Sequence, residues 1–174
     1  TWLPDAHSQA PSPVSALLSG VLLSCAIFGI VRFHILTQMA TASIFSGRLL
    51  VLFGLLSVAV AVPFVLEQSD YKRLLAYSSV EHMGIVSIGF GFGGMLGIYG
   101  ALLHIVNHAF TKSLLFFSCG HLLHQFQTKE IGKVTGVFRR NPFLGGIFFL
   151  ALLAIAGMPP FSIFVSEFVI LSAG

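Results

Sequence analysis

The chain has 174 residues with nine lysines and arginines and six aspartates and glutamates, so only 9% of its side chains are charged. Because a soluble domain carries about 25% charged residues, and because the mean hydropathy is +0.94, this composition excludes a disordered chain, a disulfide-rich miniprotein and an ordinary soluble domain. The predicted fold class is an all-α integral membrane bundle, since a barrel strand needs only about 10 residues and the apolar stretches here are much longer.

Five apolar stretches are long enough for membrane-spanning helices, each of which needs about 20 mostly apolar residues. The predicted spans are residues 14–33, 49–66, 74–94, 97–121 and 142–174. We therefore expect a single transmembrane domain over residues 1–174. There is no initiating methionine, and the chain is still apolar where it stops. We expect a piece of a longer chain or a truncated gene product.

Basic residues between the spans predict the orientation. On the side where the first span ends, only Arg32 and Arg48 occur. The side where the first span starts has six basic residues: Lys72, Arg73, Lys129, Lys133, Arg139 and Arg140. Because cytoplasmic loops carry an excess of lysine and arginine, we expect that side, with the loop 121–141, to be cytoplasmic. The basic residues do not form a clustered basic face, so we predict no nucleic-acid partner. The expected surroundings are a lipid bilayer.

Three charged side chains lie inside the predicted spans, namely Glu81, Lys112 and Glu167. A charge at the centre of a spanning helix costs about 2.5–3.5 kcal/mol on insertion scales and commonly marks an ion or proton path. We therefore predict that Glu81 and the adjacent His82 belong to a proton path. The alternatives are a Glu81 that snorkels or pairs with a neighbouring helix, and a Glu167 that lies near the membrane edge.

Three titratable residues recur every four positions in the fourth span: His104, His108 and Lys112, with Asn107 beside them. They form a stripe that turns by about 40° per step and extends over about 12 Å. Imidazoles and a desolvated lysine exchange protons readily, so the stripe predicts a relay through intervening water. Alternatively, the histidines are ordinary packing residues. A metal site lacks the glutamate of HExxH, and haem would need His82, so we predict no metal and no cofactor in this chain.

A helix break is predicted in the last span at Gly157, Met158, Pro159 and Pro160. Each proline lacks an N–H group and clashes with the preceding turn. Backbone groups freed at membrane depth need partners inside the protein, and such broken helices occur at the ion sites of transporters. Glu167 follows seven residues after Pro160 and belongs to the second half of this helix. The alternative is an ordinary loop between two short apolar segments.

Four collinear motifs carry a family resemblance. They are Thr1 to His7 (TWLPDAH) with Pro11 to Leu18, Asp70 to Ser79 (DYKRLLAYSS), His104 to Phe116 (HxxxHAFxKxLLF), and Gly157 to Phe161 (GMPPF) with Phe164 and Glu167. Together they resemble the antiporter-like membrane subunits of respiratory complex I, energy-converting hydrogenases and multisubunit sodium/proton antiporters. Glu81 to Gly84 and Ser19-Gly20 are most similar to the hydrogenase-4 and formate hydrogenlyase branch.

The resemblance implies a fold of two inverted five-helix repeats, each with one broken helix, of which this chain holds most of the second. It implies a central lysine at Lys112, relay groups at His104 and His108, and a distal charged residue at Glu167. Relatives carry His or Lys in the first span of this region, where this chain has Ser19 and Ser24. We expect water, or Glu81 and His82, to fill that point. The family's preceding lysine would lie upstream of this chain, so the chain alone is not expected to pump.

The function implied is that of a proton-translocating membrane subunit of a redox-driven complex, of the energy-converting hydrogenase or NADH-quinone oxidoreductase type. Redox chemistry is expected in other subunits. The implied partners are further membrane-arm subunits, a peripheral hydrogenase or dehydrogenase arm, and protons or sodium ions. The implied location is a prokaryotic plasma membrane. The alternatives are a subunit of a sodium/proton antiporter and a truncated scaffold that transports nothing.

Overall fold

All regular elements in the described part of the chain are helical, which confirms the predicted all-α fold. The computed structural model describes residues 2–41 and 43–174; Thr1, the first residue of the N-terminal motif, lies outside them. The helices are α1 (Trp2–Gln9), α2 (Ser12–Leu17), α3 (Leu23–Thr41), α4 (Phe45–Glu67), α5 (Tyr71–Phe92), α6 (Gly94–Phe126), α7 (Val137–Arg140), α8 (Pro142–Ile155) and α9 (Ser162–Leu171). A π-helical turn, Leu18–Leu22, joins α2 to α3, and a 3₁₀ turn covers Ile131–Lys133.

The outer surface of the bundle is apolar. Within the described residues, two helices are long and apolar enough to cross a membrane: the continuous helix Ser12–Thr41, with a mean hydropathy of 2.4, and α4, with 2.8. Large apolar side chains are exposed on α3, α4 and α6, including Phe33, Phe53 and Phe110. Such a surface is expected against lipid or neighbouring membrane helices. Helices α5 (22 residues) and α6 (33 residues) are also long enough to cross a membrane, but their polar side chains, described below, lower their mean hydropathy.

Glycines bring α4 and α5 into close contact. Gly47 of α4 faces Gly91 of α5, and seven residues further on Gly54 faces Gly84, as expected for an antiparallel pair. A Cβ atom on Gly54 would lie 2.7 Å from the carbonyl oxygen of Gly84, and one on Gly91 would lie 2.8 Å from that of Gly47. Small residues at such spacing let membrane helices approach until their backbones touch. This interface therefore fixes one side of α5.

Two apolar clusters divide the other side of α5 into layers. The first lies near the start of α5 and the end of α6 and contains Ala16, Tyr71, Leu75, Leu115, Phe116, Cys119, Leu122 and Ala151. The second lies near the opposite ends of these helices and contains Ile27, Met83, Val86, Phe90 and Ala101. Glu81 and His82 of α5, and His104, His108 and Lys112 of α6, fall between the two clusters in sequence. The fold therefore holds a polar layer between two apolar ones.

The start of α5 is fixed by its N-cap residue and by the loop after α6. The Asp70 carboxylate accepts hydrogen bonds from the backbone N–H groups of Lys72 at 2.8 Å and Arg73 at 3.2 Å, which satisfies two donors that a helix start leaves free. The backbone N–H of Tyr71 donates to the carbonyl of Lys129 at 3.2 Å. The loops before α5 and after α6 therefore meet at one end of the bundle.

Lysine side chains attach α1 to that same end. The Lys72 ammonium donates to the Ala10 carbonyl at 2.7 Å, and the Lys129 ammonium donates to the Ser8 carbonyl at 2.5 Å. Several basic residues predicted for the start side are thus close neighbours in the structure. That this end faces the cytoplasm stays a prediction.

The last predicted span consists of two helices. Helix α8 ends at Ile155, α9 begins at Ser162, and Gly157, Pro159 and Pro160 lie between them. Asn107 of α6 donates its side-chain amide to the Ser162 carbonyl at 3.0 Å, so a backbone group near the break has a partner inside the protein. The break thereby lies against the titratable stripe of α6.

Candidate functional site

Helix α6 supplies three fully buried titratable side chains, His104, His108 and Lys112. Their spacing of four residues places them on one face of the helix, where they point toward α5 and α9 rather than toward the apolar surface. Full burial of a lysine and two histidines is uncommon in any protein and costly in a membrane. The three residues therefore need polar partners from neighbouring helices.

Lys112 finds neutral partners on α5. Its ammonium donates to the carbonyl oxygen of Leu75 at 2.7 Å and to the hydroxyl of Ser78. Among the described residues no carboxylate forms a direct ion pair with Lys112. A buried cation held only by a carbonyl and a hydroxyl is not locked in one charge state by a tight ion pair. Lys112 is therefore suited to accept and release protons.

His82, His104 and Glu167 meet between α5, α6 and α9. The two rings are joined by a 3.0 Å hydrogen bond between His82 Nδ1 and His104 Nε2, and His82 Nδ1 lies 3.6 Å from Glu167 Oε1. On its other side, His104 Nδ1 lies 3.0 Å from Ser166 Oγ, whose hydroxyl donates to the Ile163 carbonyl at 2.8 Å. The hydroxyl has only one hydrogen, so Ser166 accepts from His104 Nδ1–H, and His104 Nε2 accepts from His82.

His108 has no hydrogen-bond partner for either ring nitrogen among the described residues, although both atoms are buried. Its ring lies 5.4 Å from that of His82, measured between centroids. Buried polar atoms in proteins are nearly always hydrogen-bonded, to protein or to ordered water. Two free imidazole nitrogens between His104 and Lys112 are what a relay through water requires.

A cavity of about 540 Å³ adjoins this cluster. Its polar lining is formed by Ser78, Glu81, His82 and Glu167, and its apolar lining comes mainly from α5 and α8. The share of one water molecule in the liquid is about 30 Å³, so the cavity has room for a chain of several waters. It connects Ser78, the partner of Lys112, with the two carboxylates and His82.

Gly157, in the helix break, leaves the space that the Glu167 carboxylate occupies. Gly157 has a φ of +66°, which side chains rarely allow, and a Cβ atom at this position would lie 2.5 Å from Glu167 Oε2. Any larger residue at 157 is therefore strained and displaces the carboxylate. The helix break thus positions Glu167, whereas Pro159 and Pro160 form the rest of the connection.

The six residues predicted for a proton path lie on three helices around one polar layer. His82, His104 and Glu167 are in close contact, the His108 ring lies tilted against that of His82, and Glu81 shares the cavity. Lys112, like His108, makes no direct hydrogen bond to the other residues of the set within the described part of the chain.

Several serines of the site were not among the predicted residues. Ser78 and Ser166 bind Lys112 and His104, and Ser19 of the π-helical turn shares a 2.8 Å hydrogen bond with Ser79. Ser24 donates to a backbone carbonyl of its own helix instead. Small hydroxyl residues inside apolar spans are a weak sequence signal, because most of them bond to their own backbone.

His7 of α1 is a further buried residue that the sequence analysis assigned no role. Its Nδ1 lies 2.9 Å from the Leu3 carbonyl, its Nε2 has no partner in the described part of the chain, and its ring contacts that of Phe116. Burial lowers the pKa of His7, the bond to Leu3 opposes this shift, and the nearby positive charges of Lys112 and Lys72 lower the pKa further. Its place in the TWLPDAH motif was the available signal.

The site also contains a set of metal-ligating atoms. One ligand atom from each of His82, His104 and Glu167 lies within 4.8 Å of the others. From the sequence, the α6 histidines were weighed as metal ligands and His82 as a second haem ligand, and no metal was predicted. The set with Glu167 was not considered, because the three residues are far apart in the chain.

Comparisons with known proteins give consistent results. The model of the family described as "NADH:quinone oxidoreductase/Mrp antiporter, TM" matches residues 1–174. The chain is 45% identical over 172 residues to a hydrogenase-4 component F homolog of Methylacidiphilum infernorum, covering 99% of this chain and 36% of that protein. It is 36% identical over 171 residues to NADH-quinone oxidoreductase subunit M of Pseudomonas aeruginosa, covering 98% of this chain and 33% of that protein.

A solved structure shares the fold. A chain of the membrane-bound sulfane sulfur reductase, an archaeal respiratory membrane complex, matches with a TM-score of 0.92 and 26% identity, over 99% of this chain and 35% of that chain. The chain thus spans about a third of the length of the proteins it matches.

Proposed function

The chain belongs to the NADH:quinone oxidoreductase/Mrp antiporter transmembrane family, as its motifs predicted, and on this premise we propose that it is part of a proton-translocating membrane subunit in a redox-driven complex. Protons move along Glu81, His82, His104, His108, Lys112 and Glu167. A membrane location follows from the family.

The observation that carries the proposal is the polar layer itself. Six titratable side chains from three helices lie beside a helix break and a cavity, and those of α5 and α6 fall between two apolar clusters. Bundles seldom bury such groups for stability alone, because apolar packing serves as well or better. Groups that exchange protons explain both the number of these residues and the loose pairing of Lys112.

The geometry suggests an order for the path. Lys112 exchanges with water in the cavity through Ser78, and the same water reaches Glu81. His82 connects the cavity to His104 through their hydrogen bond, and Glu167 is the carboxylate beside His82. Because the sites are coupled, a proton bound at one group changes the proton affinity of its neighbours, and this coupling drives loading and release.

The proposal includes the rest of the complex. Other membrane subunits contact the apolar outer surface, a peripheral hydrogenase or dehydrogenase arm carries the redox chemistry, and this chain holds no redox cofactor. The membrane is a prokaryotic plasma membrane with the loop 121–141 on the cytoplasmic side. The relatives in the comparisons are components of hydrogenase-4 and NADH-quinone oxidoreductase, which supports this type of complex.

A second candidate is a sodium/proton antiporter subunit, because the description of the family names the Mrp antiporter. In that case the same layer exchanges sodium for protons. A pH change in vesicles that depends on sodium, without any redox substrate, would favour this candidate.

The test uses the full-length subunit in its complex, reconstituted in vesicles, with proton transport measured during turnover. We expect Lys112→Ala to lower coupled transport at least tenfold. Lys112→Arg keeps the positive charge but does not release a proton, so we expect a comparable loss. Lys133→Ala is the matched control, since this exposed lysine pairs with Glu130 in the loop. Wild-type transport by an assembled Lys112→Ala complex would remove Lys112 from the mechanism.

A further inference from the structure

We propose that His82, His104 and Glu167 form a binding site for a transition-metal ion of the zinc class, and that the bound ion blocks the polar layer. The site itself is independent of the proposed function, whereas the block of transport rests on it. The proposal starts from the ligand atoms, which come from three different helices and already lie together.

The distances fit tetrahedral coordination. Zinc binds imidazole nitrogen at about 2.0–2.1 Å and carboxylate oxygen at about 2.0–2.2 Å, so two neighbouring ligand atoms of a tetrahedron are about 3.4 Å apart. His82 Nδ1 lies 3.0 Å from His104 Nε2 and 3.6 Å from Glu167 Oε1. Both separations are within 0.4 Å of that value, and the third, between His104 and Glu167, is no more than 4.8 Å. Rotation of the Glu167 carboxylate toward His104 completes the site.

Hydrogen bonding prepares the His104 ring for a metal. Ser166 accepts the hydrogen of His104 Nδ1, which leaves the lone pair on Nε2 directed at His82 and Glu167. A metal-ligating histidine typically donates its other N–H to a neighbouring oxygen in this way, which fixes the ring and its tautomer. Binding through His82 Nδ1 requires the single ring hydrogen to move from Nδ1 to Nε2 by way of water, so that a neutral imidazole holds the ion and no net proton is released.

The cavity supplies the remaining requirements. It is lined by His82 and Glu167, so a water molecule in it occupies the fourth position that a set of three protein ligands leaves open. Glu81 lines the same cavity, and two carboxylates balance the charge of a divalent ion. Two imidazoles and one carboxylate suit zinc and its neighbours rather than magnesium or calcium, which prefer oxygen ligands only.

The consequence follows from the shared residues. The nitrogens and oxygen that bind the ion are those that the proposed path uses, so an occupied site holds them without an exchangeable proton. The ion therefore acts as an inhibitor of transport and not as a resident cofactor.

The experiment measures binding directly in the full-length complex, purified through a tag without histidine. Titration with Co²⁺ is followed by its visible absorption, which is strong for four-coordinate and weak for six-coordinate cobalt, and Zn²⁺ is used to displace it. We expect one strongly absorbing Co²⁺ per subunit. His82→Gln and Glu167→Gln keep the side-chain volume and should each lose this signal.

Two further variants separate the site from other metal binding. His121→Gln, at an exposed histidine of α6, is the matched control and should leave the signal unchanged. Ser166→Ala keeps all three ligands but removes the acceptor for His104, so we expect about 10–100-fold weaker affinity. A Ser166→Ala complex that binds as tightly as the wild type would contradict the assigned geometry.

Binding and transport give distinguishable answers. Absence of four-coordinate Co²⁺ in the assembled wild type, or its persistence in both His82→Gln and Glu167→Gln, overturns the metal site whatever the complex transports. Inhibition of wild-type transport by Zn²⁺ over the same concentration range as binding supports the block. Saturated binding without inhibition overturns it, while normal transport in Lys112→Ala overturns only the proposed function.

Discussion

Helix α5 presents two contrasting faces. Toward α4 it offers Gly84 and Gly91, seven residues apart, against which the backbone of α4 packs directly. Toward α6 and α9 it offers Ser78 and His82, which bind a lysine and a histidine of α6. Gly84 and His82 are two residues apart and therefore about 200° apart around the helix. One helix thus joins an apolar contact to a polar one.

The two faces of α5 make different kinds of contact: one depends on close steric packing and the other on hydrogen bonds. On the glycine face, the contact depends on the absence of side chains, and any added atom meets backbone that has no room to move. On the polar face, the contact depends on a few hydrogen bonds beside a cavity, and one histidine there has no hydrogen-bond partner among the described residues. We therefore expect variants of the first face to abolish assembly, and variants of the second to change transport while assembly is kept.

The largest effect is expected for Gly54→Leu. A Cβ atom at this position lies 2.7 Å from the Gly84 carbonyl oxygen and 3.1 Å from the backbone nitrogen of Ile88. Overpacking costs about 1–3 kcal/mol where side chains can adjust and more where they cannot, so assembled full-length subunit should be nearly absent from the membrane. Gly29→Leu on α3 is the control, because no atom of residues 2–41 and 43–174 lies within 4 Å of a Cβ there. Equal amounts of both variants in the assembled complex would contradict the close packing of α4 and α5.

An effect of the opposite kind is expected for His108→Leu. Both ring nitrogens are buried and have no hydrogen-bond partner in the part of the chain that the structure describes. Replacing unsatisfied polar atoms by an apolar group of similar size is neutral or stabilising. The melting temperature of the complex should therefore stay the same or rise, while proton transport falls at least tenfold. His124→Leu, at an exposed position near the end of α6, should leave transport unchanged. A marked loss of stability with normal transport would make His108 a packing residue and remove the contrast between the faces.

The two faces also differ in how far the sequence alone predicts them. The spacing of His104, His108 and Lys112 was sufficient to predict a buried stripe, and Pro159 and Pro160 were sufficient to predict the interruption of the last span. In both cases the signal is local, since it depends on helix periodicity or on a missing N–H group.

The contacts between helices could not be predicted from the sequence. The meeting of His82, His104 and Glu167 depends on how three helices pack, and residues 22 and 63 positions apart carry no spacing rule. The facing glycines Gly54 and Gly84 are likewise invisible in runs rich in glycine and apolar residues. Motif resemblance identified the family, but only the packing shows which motif residues touch.

The smallest effect is predicted for His7, which lies on α1 next to the Lys112 end of the polar layer. Its pKa is lowered from the ordinary value near 6.5, mainly because the ring is buried and also because Lys112 and Lys72 are positive. The unfolded chain then binds more protons than the folded one below that value, so stability must fall as the pH drops through about 6.5 and lower. His7→Gln removes this pH-dependent contribution to stability, and the difference in melting temperature of the purified protein between pH 7.5 and pH 5.5 should shrink by a few degrees.

The control is His121→Gln, at an exposed histidine, which should leave the difference as it is in the wild type. If the melting-temperature difference between the two pH values is unchanged in His7→Gln, the His7 ring is hydrated and the polar layer ends at Lys112. The expected change would show that the polar layer includes His7 of α1 and therefore continues from Lys112 toward the end of the bundle where α1 is attached.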